Sequence, residues 1–75
     1  MPRVGEVLGI VFYVYADDNN PSHVHAVYGD SEALLIIATS AVLTGFLPGA
    51  KLRQAQAWLE ENRAAVSAAW DRLNP

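Results

Sequence analysis

The sequence predicts an α+β fold: a β-meander of about four antiparallel strands over 8–15, 23–28, 32–38 and 41–45, then a helical segment over 50–73. Three observations lead there. Short apolar and aromatic runs fill the first half of the chain, turn-forming residues separate them, and beyond Pro48-Gly49 the apolar spacing lengthens from two residues to three and four. Strands followed by a helical run are the pattern of a segregated α+β domain, and 1–75 reads as a single one.

The first strand, 8–15, reads Leu-Gly-Ile-Val-Phe-Tyr-Val-Tyr, dense in the β-branched and aromatic residues that suit a pleated surface. Leu8, Ile10, Phe12 and Val14 fall on one face and Gly9, Val11, Tyr13 and Tyr15 on the other, so neither face is polar. The run Asp17-Asp18-Asn19-Asn20-Pro21-Ser22 then breaks the strand. Asp and Asn bond their own backbone in turns, and Pro21 has no N–H for a ladder.

Alternation resumes over 23–28, with His23, His25 and Val27 on one face and Val24, Ala26 and Tyr28 on the other. Gly29-Asp30 suits a two-residue hairpin turn. That turn sets the register: Val27 opposite Glu32, His25 opposite Leu34, His23 opposite Ile36. Ala33-Leu34-Leu35-Ile36-Ile37-Ala38 is apolar throughout, as in a strand covered on both faces, and places 32–38 centrally. Thr39-Ser40 turns the chain into a weaker strand, 41–45, ended by Gly45.

Pro48 is well placed to open a helix. Leu52, Ala55, Leu59, Val66, Ala69 or Trp70, and Leu73 recur at helical spacing, and Trp58 widens the stripe. A single rod over 50–73 would be about 36 Å long at 1.5 Å per residue, more than a small sheet can cover. A break near Asn62 is expected, with Asn62 capping a second helix from Arg63 or Ala64. Trp58 and Trp70 are read as core packing rather than a ligand cage, and an exposed one would be an interface anchor.

Composition restricts the function. With no cysteine, disulfide scaffolds, thiolate metal sites and thiol nucleophiles are excluded, and a reducing cytoplasm is the expected setting. A net charge of -3 and a pI near 5.0 argue against a generic nucleic-acid binder. Lys51, Arg53, Arg63 and Arg72 give the helical region some positive charge, and Lys51 with Arg53 near the first turn could meet phosphate, but Glu60, Glu61 and Asp71 dilute it. No apolar run reaches the ~20 residues of a membrane helix, and no signal-like stretch follows Met1-Pro2-Arg3. The hydrophobic content, 52% against 17% charged, is high for so small a chain, and both sheet faces carry apolar side chains. One helical layer covers one face, so the other predicts association, with a homo-oligomer or a small protein partner.

Chemistry concentrates between Asp17 and Glu32. His23-x-His25 presents two imidazoles on one strand face, enough to grip a divalent transition metal if Asp17, Asp18 or Glu32 completes the set. The same residues suit acid-base work, with Ser22, Ser31, Tyr13 and Tyr28 nearby, but no catalytic spacing surrounds them. The plainer reading bonds His23 to the Asp-Asn loop and half-buries His25 at an interface.

Gly9-Ile10 entering an aromatic strand, Asn20-Pro21-Ser22-His23-Val24-His25, Tyr28-Gly29, Glu32-Ala33, Leu47-Pro48 and a closing helix with Trp58 and Trp70 resemble the small prokaryotic domain of unknown function 4160 family along nearly the whole chain. Members of that family typically read Asp-His-x-Pro-Pro-His-x-His through the loop. Asn19 stands here in place of the histidine and Ser22 in place of the second proline, and Ile36 occupies a position that tends to be acidic. The resemblance therefore implies a reduced set of metal ligands, and its small paired genes, in the manner of toxin-antitoxin modules, imply a small protein partner.

The resulting expectation is an interaction module that binds through His23, His25, Leu34, Ile36, Asn19 and Pro21, without a cofactor. The alternative is a metal-assisted or acid-base, nuclease-like enzyme using His23 and His25, as ligands or catalysts, with Asp18 and Glu32.

Overall fold

A computed structural model describes residues 2–16 and 18–75. Five strands, β1 (Arg3–Val7), β2 (Ile10–Tyr13), β3 (His23–Tyr28), β4 (Ser31–Ile36) and β5 (Val42–Phe46), precede one helix, α1 (Gly49–Leu73). The strands form an antiparallel sheet in sequence order, β1-β2-β3-β4-β5, so each pairs with its neighbour in the chain.

The expected class holds, with one strand more than the sequence suggested. Residues 8 and 9 are not the start of a strand but a turn between β1 and β2, with Leu8 at φ 50° and Gly9 at φ 82°. Two successive positive φ values are what a tight type I′ hairpin turn requires, and a leucine there disguises the signal. Lys51 secures the turn from the helix, donating from Nζ to the Leu8 carbonyl at 2.8 Å while lying over the Tyr28 ring.

β3 occupies the expected span, and its pairing with β4 places Val27 opposite Glu32, His25 opposite Leu34 and His23 opposite Ile36, as the Gly29-Asp30 turn predicts. β4 ends at Ile36 rather than 38, although the Ile37 N–H still reaches the Ser22 carbonyl at 3.0 Å. The following turn is held from α1: Arg63 donates to the Ile37 carbonyl and to Ser40 Oγ, and Gln56 donates to the Ser40 carbonyl. Lys51, one of the two cations considered for phosphate, and Arg63 are thus engaged within the chain.

α1 runs through position 62 as one bent helix. Asn62 leaves helical geometry (φ -116°, ψ 15°) and its side chain donates back to the Trp58 carbonyl at 2.8 Å, which satisfies the group that the bend frees. The expected interruption is therefore a kink, not a cap between two helices. Ala55, Leu59, Val66, Ala69 and Trp70 form the buried stripe, against Ile10, Phe12, Val24, Ala26, Ala33 and Leu35 of the sheet. Trp58 stacks on Phe12 with ring centroids 4.0 Å apart. It can lie so close because Gly5 has no side chain: a β-carbon there would meet the indole at 2.2 Å.

The other face of the sheet has no helix over it. It carries Val11, Tyr13, Val27, Leu34 and Ile36, all half-buried, with the exposed Phe46 next to Glu32 on β5. No described helix is long and apolar enough to cross a membrane.

Candidate functional site

The residue types at the start of β3 place two imidazoles on one side of the strand, with ring centroids 5.1 Å apart. Tertiary contacts then treat them differently. Trp70 of α1 packs against His23, centroid to centroid 5.2 Å, and leaves the residue only 3% exposed. His25 is half-buried, with Tyr15 edge-on against it at 4.5 Å.

The loop from 18 to 22 brings Asp18 back over this pair. Asp18 Oδ2 lies 3.0 Å from His23 Nε2 and 3.1 Å from His25 Nε2. Only the second contact has hydrogen-bonding geometry. His23 Nε2, buried, is out of line with the carboxylate and has no hydrogen-bond partner. The remaining ring nitrogens are anchored: His23 Nδ1 donates to the Pro21 carbonyl and His25 Nδ1 donates to Glu32 Oε2, both at 2.8 Å. The Asn20–Pro21 peptide that precedes this carbonyl is cis.

The loop is fixed from the far end of the helix. Asn74 Oδ1 accepts from the Asp18 N–H at 3.0 Å while its Nδ2 donates to the Tyr15 and Trp70 carbonyls. The Asn19 N–H donates to Asp18 Oδ1, so Oδ2 is the oxygen turned to the imidazoles.

Electrostatics follow from this packing. Burial pushes the Asp18 carboxyl up, but the His25 hydrogen bond, the Asn19 N–H and the two imidazoles together outweigh it, and its pKa lies below the ordinary carboxylate value. Burial, then the nearby Glu32, Tyr13 and Asp18, raises the Tyr15 pKa, so Tyr15 remains a neutral phenol. A shallow cleft of about 430 Å³ opens beside Asp18, bounded by Asn20, Trp70, Asn74 and Pro75.

Of the residues singled out in the sequence, Asp18, His23, His25 and Glu32 come together. Glu32 sits on the outer side, bonded to the ring nitrogen of His25 that faces away from Asp18. Asp17, named as an alternative ligand, lies outside the described residues. Asn19 and Pro21 are exposed and act through their backbone, while Leu34 and Ile36 lie across from the histidines on the uncovered face. Asn74, Tyr15 and Trp70 were not anticipated. Periodicity could mark Trp70 only as core, and nothing local to Asn74 or Tyr15 signals a partner nearly sixty residues away.

Fold and site together define a two-layer α+β protein with a histidine-aspartate cluster at the start of its central strand. The chain belongs to the family described as "Domain of unknown function (DUF4160)", which it matches over residues 9–71. No curated protein and no solved structure matches it.

Proposed function

We propose that this protein is a small interaction module whose partner is a second copy of itself, joined through β5 and the adjoining uncovered face. The carrying observation is the contrast between the two sheet edges. β1 bears Arg3 and Glu6, charges that discourage pairing with a foreign strand. β5, Val-Leu-Thr-Gly-Phe, has neither charge nor proline, and every residue in it is exposed, Phe46 at 68%.

An uncharged edge strand supports self-pairing in particular. Two copies meeting about a twofold axis pair the same strand with itself in reverse, so any charge in it would be doubled at the seam, and β5 has none. The paired edges would also join the two uncovered faces, so that Leu34 and Phe46 of each copy lie toward the seam. Glu32, the acid nearest that seam, is bonded to His25.

Sedimentation equilibrium tests the reading. The wild-type chain at ~50 µM is expected at twice 8.1 kDa, about 16 kDa. Leu43→Lys with Phe46→Lys is expected to return it to the monomer mass with an unchanged circular-dichroism spectrum. A monomeric wild type, or a dimer indifferent to both lysines, overturns the proposal.

A further inference from the structure

The geometry points to a metal site formed by His23 Nε2, His25 Nε2 and Asp18 Oδ2, suited to a first-row divalent cation such as zinc. The inference is independent of how the protein associates. The three residues each offer a ligand atom within 4.8 Å of the others, and Asp18 Oδ2 lies 3.0 and 3.1 Å from the two Nε2 atoms.

The hydrogen-bond inventory supports it first. The Pro21 carbonyl can only accept, so His23 Nδ1 carries its ring hydrogen, and the neutral ring presents a bare lone pair at Nε2. Glu32 likewise accepts from His25 Nδ1, while His25 Nε2 is turned to Asp18 Oδ2. Once a cation displaces the hydrogen that His25 Nε2 shares with Asp18, two imidazole lone pairs and a carboxylate oxygen converge. A proton on His25 Nε2 would lie toward Asp18, because that contact is aligned. A proton on His23 Nε2 would not, because its contact with Asp18 is out of line and the buried atom has no other partner. A cation in front of all three atoms satisfies His23 Nε2 where a proton does not.

Spacing agrees. Ligands at 2.0–2.2 Å around a tetrahedral ion stand about 3.3 Å from one another, and the Asp18 oxygen is 3.0 and 3.1 Å from the two nitrogens.

The surroundings match what ligating histidines need. Each donates its second ring N–H to a fixed oxygen, a backbone carbonyl for His23 and a carboxylate for His25, which orients the ring and sharpens its basicity. Asn74 and Asn19 hold the Asp18 loop in place. Two nitrogens and one oxygen is a set for zinc or another borderline divalent ion rather than for calcium or magnesium. Three protein ligands leave at least one coordination position for a small ligand.

The test uses the untagged full chain, stripped with chelator and titrated with Zn²⁺ and with Co²⁺, whose visible absorption reports nitrogen and oxygen ligation. One ion per chain is expected in the wild type, retained through desalting. His25→Gln and Asp18→Asn should abolish it while keeping the circular-dichroism spectrum. Glu32→Ala should weaken it by about tenfold, as removal of an orienting partner does. His25 is the primary variant because it is half-buried, whereas replacing the buried His23 risks the fold. The proposal is overturned by a wild type that retains no metal, or by equal retention in His25→Gln and Asp18→Asn.

Discussion

Asp18 and Asn74 are fifty-six residues apart in the chain, and the backbone N–H of the first donates to the side-chain oxygen of the second at 3.0 Å. This one bond couples the loop that returns Asp18 to the histidines with the end of the helix that packs Trp70 on His23. Loop and helix end therefore form a single structural unit.

Asn74→Ala is expected to destabilise the fold by about 1–3 kcal/mol, because the Tyr15 carbonyl and the Asp18 N–H lose partners in a partly buried setting. The urea midpoint should fall, and hydrogen exchange at the Asp18 amide should quicken more than at Ala26 in mid-strand. Uniform quickening along the chain would contradict the loop's dependence on Asn74.

Asp18 sets an acid limit. Its folded pKa lies below the ordinary value of 3.8, so its ionised form is favoured by folding. The stabilisation is present above pH ~3.8 and is lost as the pH falls through the folded value. Urea midpoints measured with chelator at pH 6, 4 and 3 should drop more steeply below pH 4 for the wild type than for Asp18→Asn. Parallel curves would show that Asp18 has no part in the acid limb.

Gly5→Ala should cost about 1–3 kcal/mol by overpacking, since the added carbon meets a Trp58 ring that Phe12 holds from below. The thermal midpoint should fall accordingly. In a Trp58→Leu background the same change should cost less, because the two sites touch. Equal penalties in both backgrounds would remove the steric account.

The sheet was legible where local chemistry decides it. Gly29-Asp30 fixed the β3–β4 register from sequence, and the helical stripe placed Ala55, Leu59 and Val66 correctly. β1 was hidden for a physical reason: its central residue is the glycine that a distant tryptophan requires, and its turn puts a leucine where glycine or asparagine is expected. The site was half legible. Two histidines at i and i+2 announce a shared face, whereas the third member arrives by a loop whose course depends on Asn74. The departures at Asn19 and Ile36 suggested a depleted cluster, and the fold brings Asp18 to within 3.1 Å of both imidazoles.

Lys51 and Arg63 of α1 and Asn74 at its C-terminal end each reach to a different turn or loop: Leu8, Ile37 with Ser40, and Tyr15 with Asp18. They are spaced by twelve and eleven residues, and at about 100° per residue Lys51 leaves the axis about 120° around from Arg63, so each side chain is aimed at its own loop. The helix thus works as a ruler with three fixed marks. Adding or removing one residue between marks turns everything beyond by about 100° and lifts the next side chain off its loop, so α1 can change in sequence far more readily than in length.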